Sequence, residues 1–173
     1  GIRDRLRSRG LGDVYKRQGM GGELVIHILT AGETVCRSAK ELILQPQSEV
    51  SKVREYVRNT GYKIVDEDMI LEDGKYYPMF RCVPCADNSA WDNMDETTVT
   101  VCDLYGPVLI KNGNPVLRKF LVREHHKLAA IMQQLRTQEM SDSIMDRIEQ
   151  INEMMAYNEA AYSTMGAIRN AGI

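Results

Sequence analysis

Three glycines fall within four residues at Gly19-Met20-Gly21-Gly22. A backbone that lacks so many Cβ atoms is committed there to a sharp turn or to close approach by another group. Residues Glu23 to Ala31 follow, with Leu24, Ile28 and Leu29 at helical spacing and Gly32 placed to end the helix. A short apolar strand, Glu41-Leu42-Ile43-Leu44, is then stopped at Gln45-Pro46-Gln47. Glycine turn, helix, buried strand and proline-ended loop read as one αβ unit of a wound parallel sheet. Both loops then fall on the carboxyl edge, where such sheets bind ligands. The plainer alternative is a tight turn that only packs a helix on a strand.

Ser48-Glu49 is expected to open the next helix, as a cap with a carboxylate in the first turn. Val50, Val53 and Val57 make its apolar face and Gly61 closes it. Tyr62 to Asp66 reads as a strand. Met69-Ile70-Leu71 and Tyr76 to Val83 flank Glu72-Asp73-Gly74-Lys75, whose Asp-Gly pair predicts a hairpin and therefore an antiparallel end to the sheet. The polar stretch Ala86 to Asp103 reads as a connecting loop, with Trp91 covering a core edge or, alternatively, stacking on a base.

Leu104-Tyr105-Gly106-Pro107 breaks the chain, and Asn112-Gly113-Asn114-Pro115 starts a helix with proline at its first position. Leu117, Leu121, Leu128, Ile131 and Leu135 form a heptad seam with Glu124 intruding. After a break near Ser141 and Asp142, a second seam runs through Ile144, Ile148, Ile151, Met155, Asn158, Tyr162 and Met165. Two seams joined by a short link predict an antiparallel helical hairpin. Arg118, Lys119, Arg123, His126 and Lys127 lie off the first seam; Asp142, Asp146, Glu149, Glu153 and Glu159 lie off the second. Either the two arms neutralise one another, or Arg118, Lys119, Arg123 and Lys127 reach RNA phosphates.

The whole chain gives no nucleic-acid signal, because 22 Lys and Arg stand against 24 Asp and Glu over 173 residues. Any basic footprint must be local. No apolar run approaches the roughly 18 residues of a membrane span. Cys36, Cys82, Cys85 and Cys102 are irregularly spaced, which suits reduced thiols in a cytoplasmic protein. The single Cys82-Val83-Pro84-Cys85 lacks a second spaced pair for zinc and does not open a helix, so neither metal nor redox chemistry is expected. His27, in mid-helix, reads as a packing or surface residue.

The strings GMGGELVIHILTAG, ELILQPQSEVSKVREYV, KIVDEDMILEDGKYYPMF and LYGPVLIKNGNPVLRKFL resemble the later part of the bacterial tRNA adenine-22 N1-methyltransferases, from Gly19 to the last helix. The resemblance implies an α/β fold: an incomplete Rossmann-like methyltransferase sheet ending in an antiparallel hairpin, then an α-helical coiled-coil hairpin. It implies S-adenosylmethionine as cofactor and tRNA as partner. Gly19, Met20, Gly21 and Gly22 would line the pocket where methyl donor and target adenine meet, with Gln45, Pro46 and Gln47 as its rim. The base would leave its stack and present N1 in line with the methyl–sulfur bond, so orientation supplies much of the rate and no side-chain base is required.

Residues 1–18 carry Arg3, Arg5, Arg7, Arg9, Lys16 and Arg17, where the family places an apolar strand; they are expected to be a basic arm or a segment foreign to the fold. The expected division is 1–18, a sheet domain at 19–103 and a helical domain at 104–173. The family's cofactor-gripping half is expected to be missing, leaving an inactive C-terminal portion. The rival expectation, from another class, is a non-catalytic helical interaction protein acting through its hairpin.

Overall fold

The computed structural model describes residues 20–85 and 89–170, apart from the side chains of residues 90 and 166–170. The elements run α1 (Gly22–Ala31), α2 (Glu33–Ser38), β1 (Leu42–Leu44), α3 (Val50–Asn59), β2 (Tyr62–Glu72), β3 (Lys75–Pro84), α4 (Ser89–Asp92), α5 (Glu96–Tyr105), α6 (Pro107–Lys111), α7 (Pro115–Arg136) and α8 (Asp142–Asn170). This is an α/β arrangement with a small antiparallel sheet. The strand order is β1-β3-β2, with β3 antiparallel to both neighbours.

The hairpin forms where Asp73-Gly74 predicts it, with Glu72 paired to Lys75. Its first strand is longer than expected: Tyr62 to Glu72 is continuous, and a bulge at Val65 shifts the register between Ile64 and Asp66. Parallel pairing among the described residues is limited to one bridge, Gly21 with Ser48. Residues 1–18, expected to be a basic or foreign segment, lie outside the described residues, as does Gly19.

Helix α1 forms as its periodicity predicts, but rotated. Val25 and Leu29 are buried, whereas Leu24 and Ile28 are about half exposed, at 50% and 46%. Both apolar pairs have helical spacing, and periodicity alone could not say which one faces α3 and the sheet. Val53 and Val57 are fully buried on α3 as expected. Its start differs: Glu49 itself is the N-cap, in the left-handed region at φ 51°, and makes no side-chain cap bond. The Glu49 carboxylate instead pairs with Lys52.

Within the stretch Ala86 to Asp103, expected to be a loop, the described residues from Ser89 on are largely helical. Ser89–Asp92 is a short helix and Glu96–Tyr105 a ten-residue one. Asp95 caps it, accepting from the Thr98 amide at 2.9 Å and the Thr98 hydroxyl at 2.7 Å. The β-branched run Thr97-Thr98-Val99-Thr100-Val101 weakens the helical signal. Burial of Val101 and Tyr105 against the helical arm overrides it.

Helices α7 and α8 pack as an antiparallel pair. Asn114 caps α7, its side chain accepting from the Val116 and Leu117 amides at 2.8 and 3.0 Å, with Pro115 next in line. Leu117, Leu121, Leu128 and Leu135 are buried as the seam predicts, joined by Met132. On α8 the seam carries Ala161 rather than Tyr162: Ala161 is fully buried and Tyr162 is 40% exposed. The methyl side chain lets the two helices approach, and the tyrosine ring lies outside, beneath the Arg118 guanidinium at 5.0 Å.

Three apolar clusters result. Val25, Leu29, Val53, Val57, Tyr62, Phe80 and Cys82 join α1 and α3 to the sheet. Met69 and its neighbour Tyr76, from the hairpin, share a second cluster with Val101, Tyr105, Leu109, Leu117, Leu121 and Met165. The third, Leu128, Met132, Leu135 and Ile151, is helix against helix alone.

A buried ion pair sits where sheet and arm meet. Arg54 Nε donates to Glu67 Oε1 at 2.9 Å, and both side chains are essentially inaccessible. Arg54 Nη1 donates to the carbonyls of Asp103 and Leu104 at 3.0 and 3.1 Å. Glu67 Oε2 accepts from the Val108 amide at 2.8 Å, so the pair grips the chain on both sides of Gly106. Gly106 has φ +93°, and a Cβ there would lie 2.7 Å from both Glu67 oxygens. Only glycine fits this turn. Burial pushes the Glu67 carboxyl up, against the opposing pull of Arg54 and the amides.

Candidate functional site

The glycine turn and the proline-ended loop come together, as their positions at one sheet edge require. The Gln47 amide donates to the Met20 carbonyl at 2.9 Å and the Gly22 amide to the Ser48 carbonyl at 3.0 Å. A Cβ on Gly22 would stand 2.8 Å from the Glu49 carbonyl oxygen and 2.9 Å from that of Ser48. Gly22 is therefore glycine because two backbones touch there. Pro46 is fully buried beneath the junction, while Met20, Gln45 and Gln47 are exposed. Met20 through Gly22 and Gln45 through Gln47 thus form one continuous rim; Gly19 lies outside the described residues.

From Gln47 a cleft of about 750 Å³ runs between the hairpin and the helical arm. Lys75, Tyr76 and Tyr77 of β3 line one side, Phe120, Arg123, Glu124 and Lys127 of α7 another, and Arg147 of α8 its outer end. One rim residue, Gln47, and two of the α7 cations, Arg123 and Lys127, therefore line one concavity. The meeting is partial. Arg118 and Lys119 open instead on a shallower hollow of about 480 Å³ with Val122, His126 and Tyr162, and Arg123 touches both.

Among the described residues no ion pair joins the two helical arms. Among the described residues, Arg118, Lys119, Arg123 and Lys127 make no ion pair with a carboxylate. Arg123 is nevertheless engaged: its Nη1 donates to the Gly74 carbonyl at 2.7 Å and its guanidinium lies 5.8 Å from the Tyr76 ring centre. Tyr76 meets Phe120 edge-on at 5.1 Å, tying the hairpin to α7. Glu124, the seam intruder, is held from behind. Its Oε2 accepts from the Tyr105 hydroxyl at 2.7 Å and from Asn158 Nδ2 at 2.9 Å. Burial, with the neighbouring Glu124 charge, pushes the Tyr105 hydroxyl far above its ordinary range, so it stays a donor.

Lys75, Arg147, Tyr77 and Phe120 were not singled out in the sequence. They come from β3, α8 and α7, and only the folded hairpin and arm bring them to one wall. The nearest sequence signal was Lys75 beside the Asp-Gly turn.

Other expectations fall away from the cleft. His27 is exposed on α1. Trp91 is half-buried on α4, with the Arg58 guanidinium over its ring at 5.3 Å. Cys82 points into the sheet core, where burial pushes its thiol up to about 11, and burial does the same to Cys102. Among the described residues no group of three or more His, Cys, Asp and Glu is placed to hold a metal ion, and no helix is long and apolar enough to cross a membrane.

Comparison with known proteins agrees with this architecture. The family model for tRNA (adenine(22)-N(1))-methyltransferase matches residues 6–159. The tRNA (adenine(22)-N(1))-methyltransferase of Bacillus subtilis is 29% identical over 154 residues, 85% of this chain and 63% of the relative. The crystal structure of the B. subtilis M1A22 tRNA methyltransferase superposes with a TM-score of 0.70 at 28% identity, covering 83% of this chain and 60% of that one. A Streptococcus pneumoniae putative tRNA (m1A22) methyltransferase, solved with S-adenosyl-L-methionine, gives a TM-score of 0.56 at 26% identity over 80% of this chain and 57% of that one. The chain therefore spans about three-fifths of the length of these relatives. With the glycine turn, the antiparallel hairpin and the helical arm as far as residue 159 inside the matched span, the chain belongs to the tRNA (adenine(22)-N(1))-methyltransferase family.

Proposed function

We propose that this chain forms the RNA-holding part of a tRNA adenine-N1 methyltransferase that takes its methyl group from S-adenosylmethionine. The supporting observation is the cleft that leads from Gln47 at the glycine-turn rim to Lys75, Arg123, Lys127 and Arg147. Cations drawn from three elements line a groove floored by aromatic rings, which suits a phosphate backbone with unstacked bases. In this reading Met20, Gly21, Gln45 and Gln47 border the target adenine, and the exposed Gln45 and Gln47 amides offer hydrogen bonds to its edge. Gly19, Gly22 and Pro46 shape the backbone around it. When bound, S-adenosylmethionine supplies an electrophilic methyl group; the rim's part is to orient the base and exclude water.

Within the arm, the proposal divides the labour of the four predicted cations. Lys127 faces the cleft and reaches phosphate directly. Arg123 holds the hairpin tip at a fixed distance, through Gly74 and Tyr76. Arg118 and Lys119 extend the positive surface around α7. Residues 19–103 act as the rim-bearing half of an incomplete Rossmann-like sheet and 104–173 as a coiled-coil arm. The rim is not a whole cofactor site, so these 173 residues alone should bind S-adenosylmethionine more weakly than micromolar. Titration calorimetry measures this, and micromolar affinity would contradict it.

The test of RNA holding is tRNA binding by the 173-residue chain and by Lys75→Glu with Lys127→Glu, across a salt series. Loss of two phosphate contacts should flatten the slope of log affinity against log salt by about 2. An unchanged slope and affinity would remove the cleft from the reading.

A further inference from the structure

A carboxylate is out of place on the wall of a phosphate-binding cleft, and Glu124 stands there among Lys75, Arg123, Lys127 and Arg147. Its two oxygens differ. Oε2 is committed to the Tyr105 hydroxyl at 2.7 Å and to Asn158 Nδ2 at 2.9 Å. Oε1 has no hydrogen-bond or ion-pair partner among the described residues, and it is not a buried orphan. Packing does not require the negative charge, because the carbonyl of a glutamine would also accept both bonds. The anchoring is stiff: Asn158 is buried and also donates to the Leu121 carbonyl at 3.0 Å. One oxygen is thus fixed from behind and one is offered to the cleft as a pure acceptor.

We infer that Glu124 reads ribose 2′-hydroxyls, making the cleft selective for RNA over DNA. This rests on the RNA-holding reading above. Cations seat the phosphates, and the donor that a backbone carries next to each phosphate is the 2′-hydroxyl, which DNA lacks. An ionised acceptor strengthens that bond and penalises any phosphate that slips towards it. Glu124 is a specificity residue in this scheme and touches no reacting atom.

The experiment compares an RNA hairpin with its DNA copy, titrated into the wild-type chain and Glu124→Gln, with thermal melts to confirm that both are folded. Wild type should favour RNA by about tenfold, the worth of one charge-assisted bond. In Glu124→Gln the ratio should fall, because RNA loses the charge-assisted bond while both ligands are relieved of the negative charge. An unchanged ratio, or equal weakening of both ligands as expected for a base-amine contact, overturns the inference and leaves RNA holding intact. Failure of the wild type to bind either ligand overturns both. Should Glu124→Gln not fold, 2′-deoxy substitution along the hairpin decides with wild-type protein. One or two positions must weaken binding, and a flat profile is a negative answer.

Discussion

Single residues carry the joint between sheet and arm. Gly106→Ala would place a methyl group on the Glu67 carboxylate from a backbone at φ +93°. Nothing there can yield without breaking the ion pair, so urea denaturation should show a loss of about 2–4 kcal/mol. Arg54→Met removes one charge of a pair whose side chains are only 2% and 0% exposed, and should cost about 3–5 kcal/mol by the same measurement. The thiols give a check on burial. With Cys82 and Cys102 near 11, about one thiolate in a thousand is present at pH 8, so iodoacetamide should reach these two only after unfolding. The sequence marked a chain break at Gly106, but nothing in it paired Arg54 with Glu67, thirteen positions on.

At the scale of elements, legibility followed the locality of the signal. The α1 helix, the hairpin at Asp73-Gly74 and the Pro115 helix start each rest on a few adjacent residues, and each formed. The burial of α1 was misjudged because Leu24-Ile28 and Val25-Leu29 have the same spacing, and only α3 and the sheet choose between them. Helix α5 was missed because its stretch is polar and its β-branched run hides the Asp95 cap, while the partners that bury Val101 and Tyr105 lie far along the chain. Of the residues that line the cleft, the sequence singled out Gln47, Arg123 and Lys127 for function, and the wall that joins them is a tertiary product.

The cap also yields a pH prediction. Hydrogen bonds from Thr98 hold the Asp95 carboxyl below its ordinary value. A lowered folded value means that the cap's contribution is full above the ordinary carboxylate range and fades as pH falls through it. Asp95→Asn keeps an acceptor but cannot titrate. The melting difference between wild type and Asp95→Asn should therefore shrink on acidification towards pH 3, and a difference that stays constant would refute the assignment.

Across the whole molecule, stability should be graded. The outer cluster of Leu128, Met132, Leu135 and Ile151 is helix on helix, whereas the cluster around Leu117 and Met165 also takes in Met69 from the hairpin. Amide exchange should be faster at the outer end of α7 than around Leu121. The Arg54–Glu67 pair has a last effect on this scale. Because one guanidinium answers to β2 and to the start of the arm together, swinging α7 about Gly106 would take from the buried pair the Asp103 and Leu104 carbonyls and the Val108 amide. The seated arm is therefore favoured over tilted ones. On the RNA-holding reading, a nucleic acid laid along α7 would meet the Met20–Gln47 junction at one spacing, and the joint would act as a caliper favouring RNA whose bend and length match it.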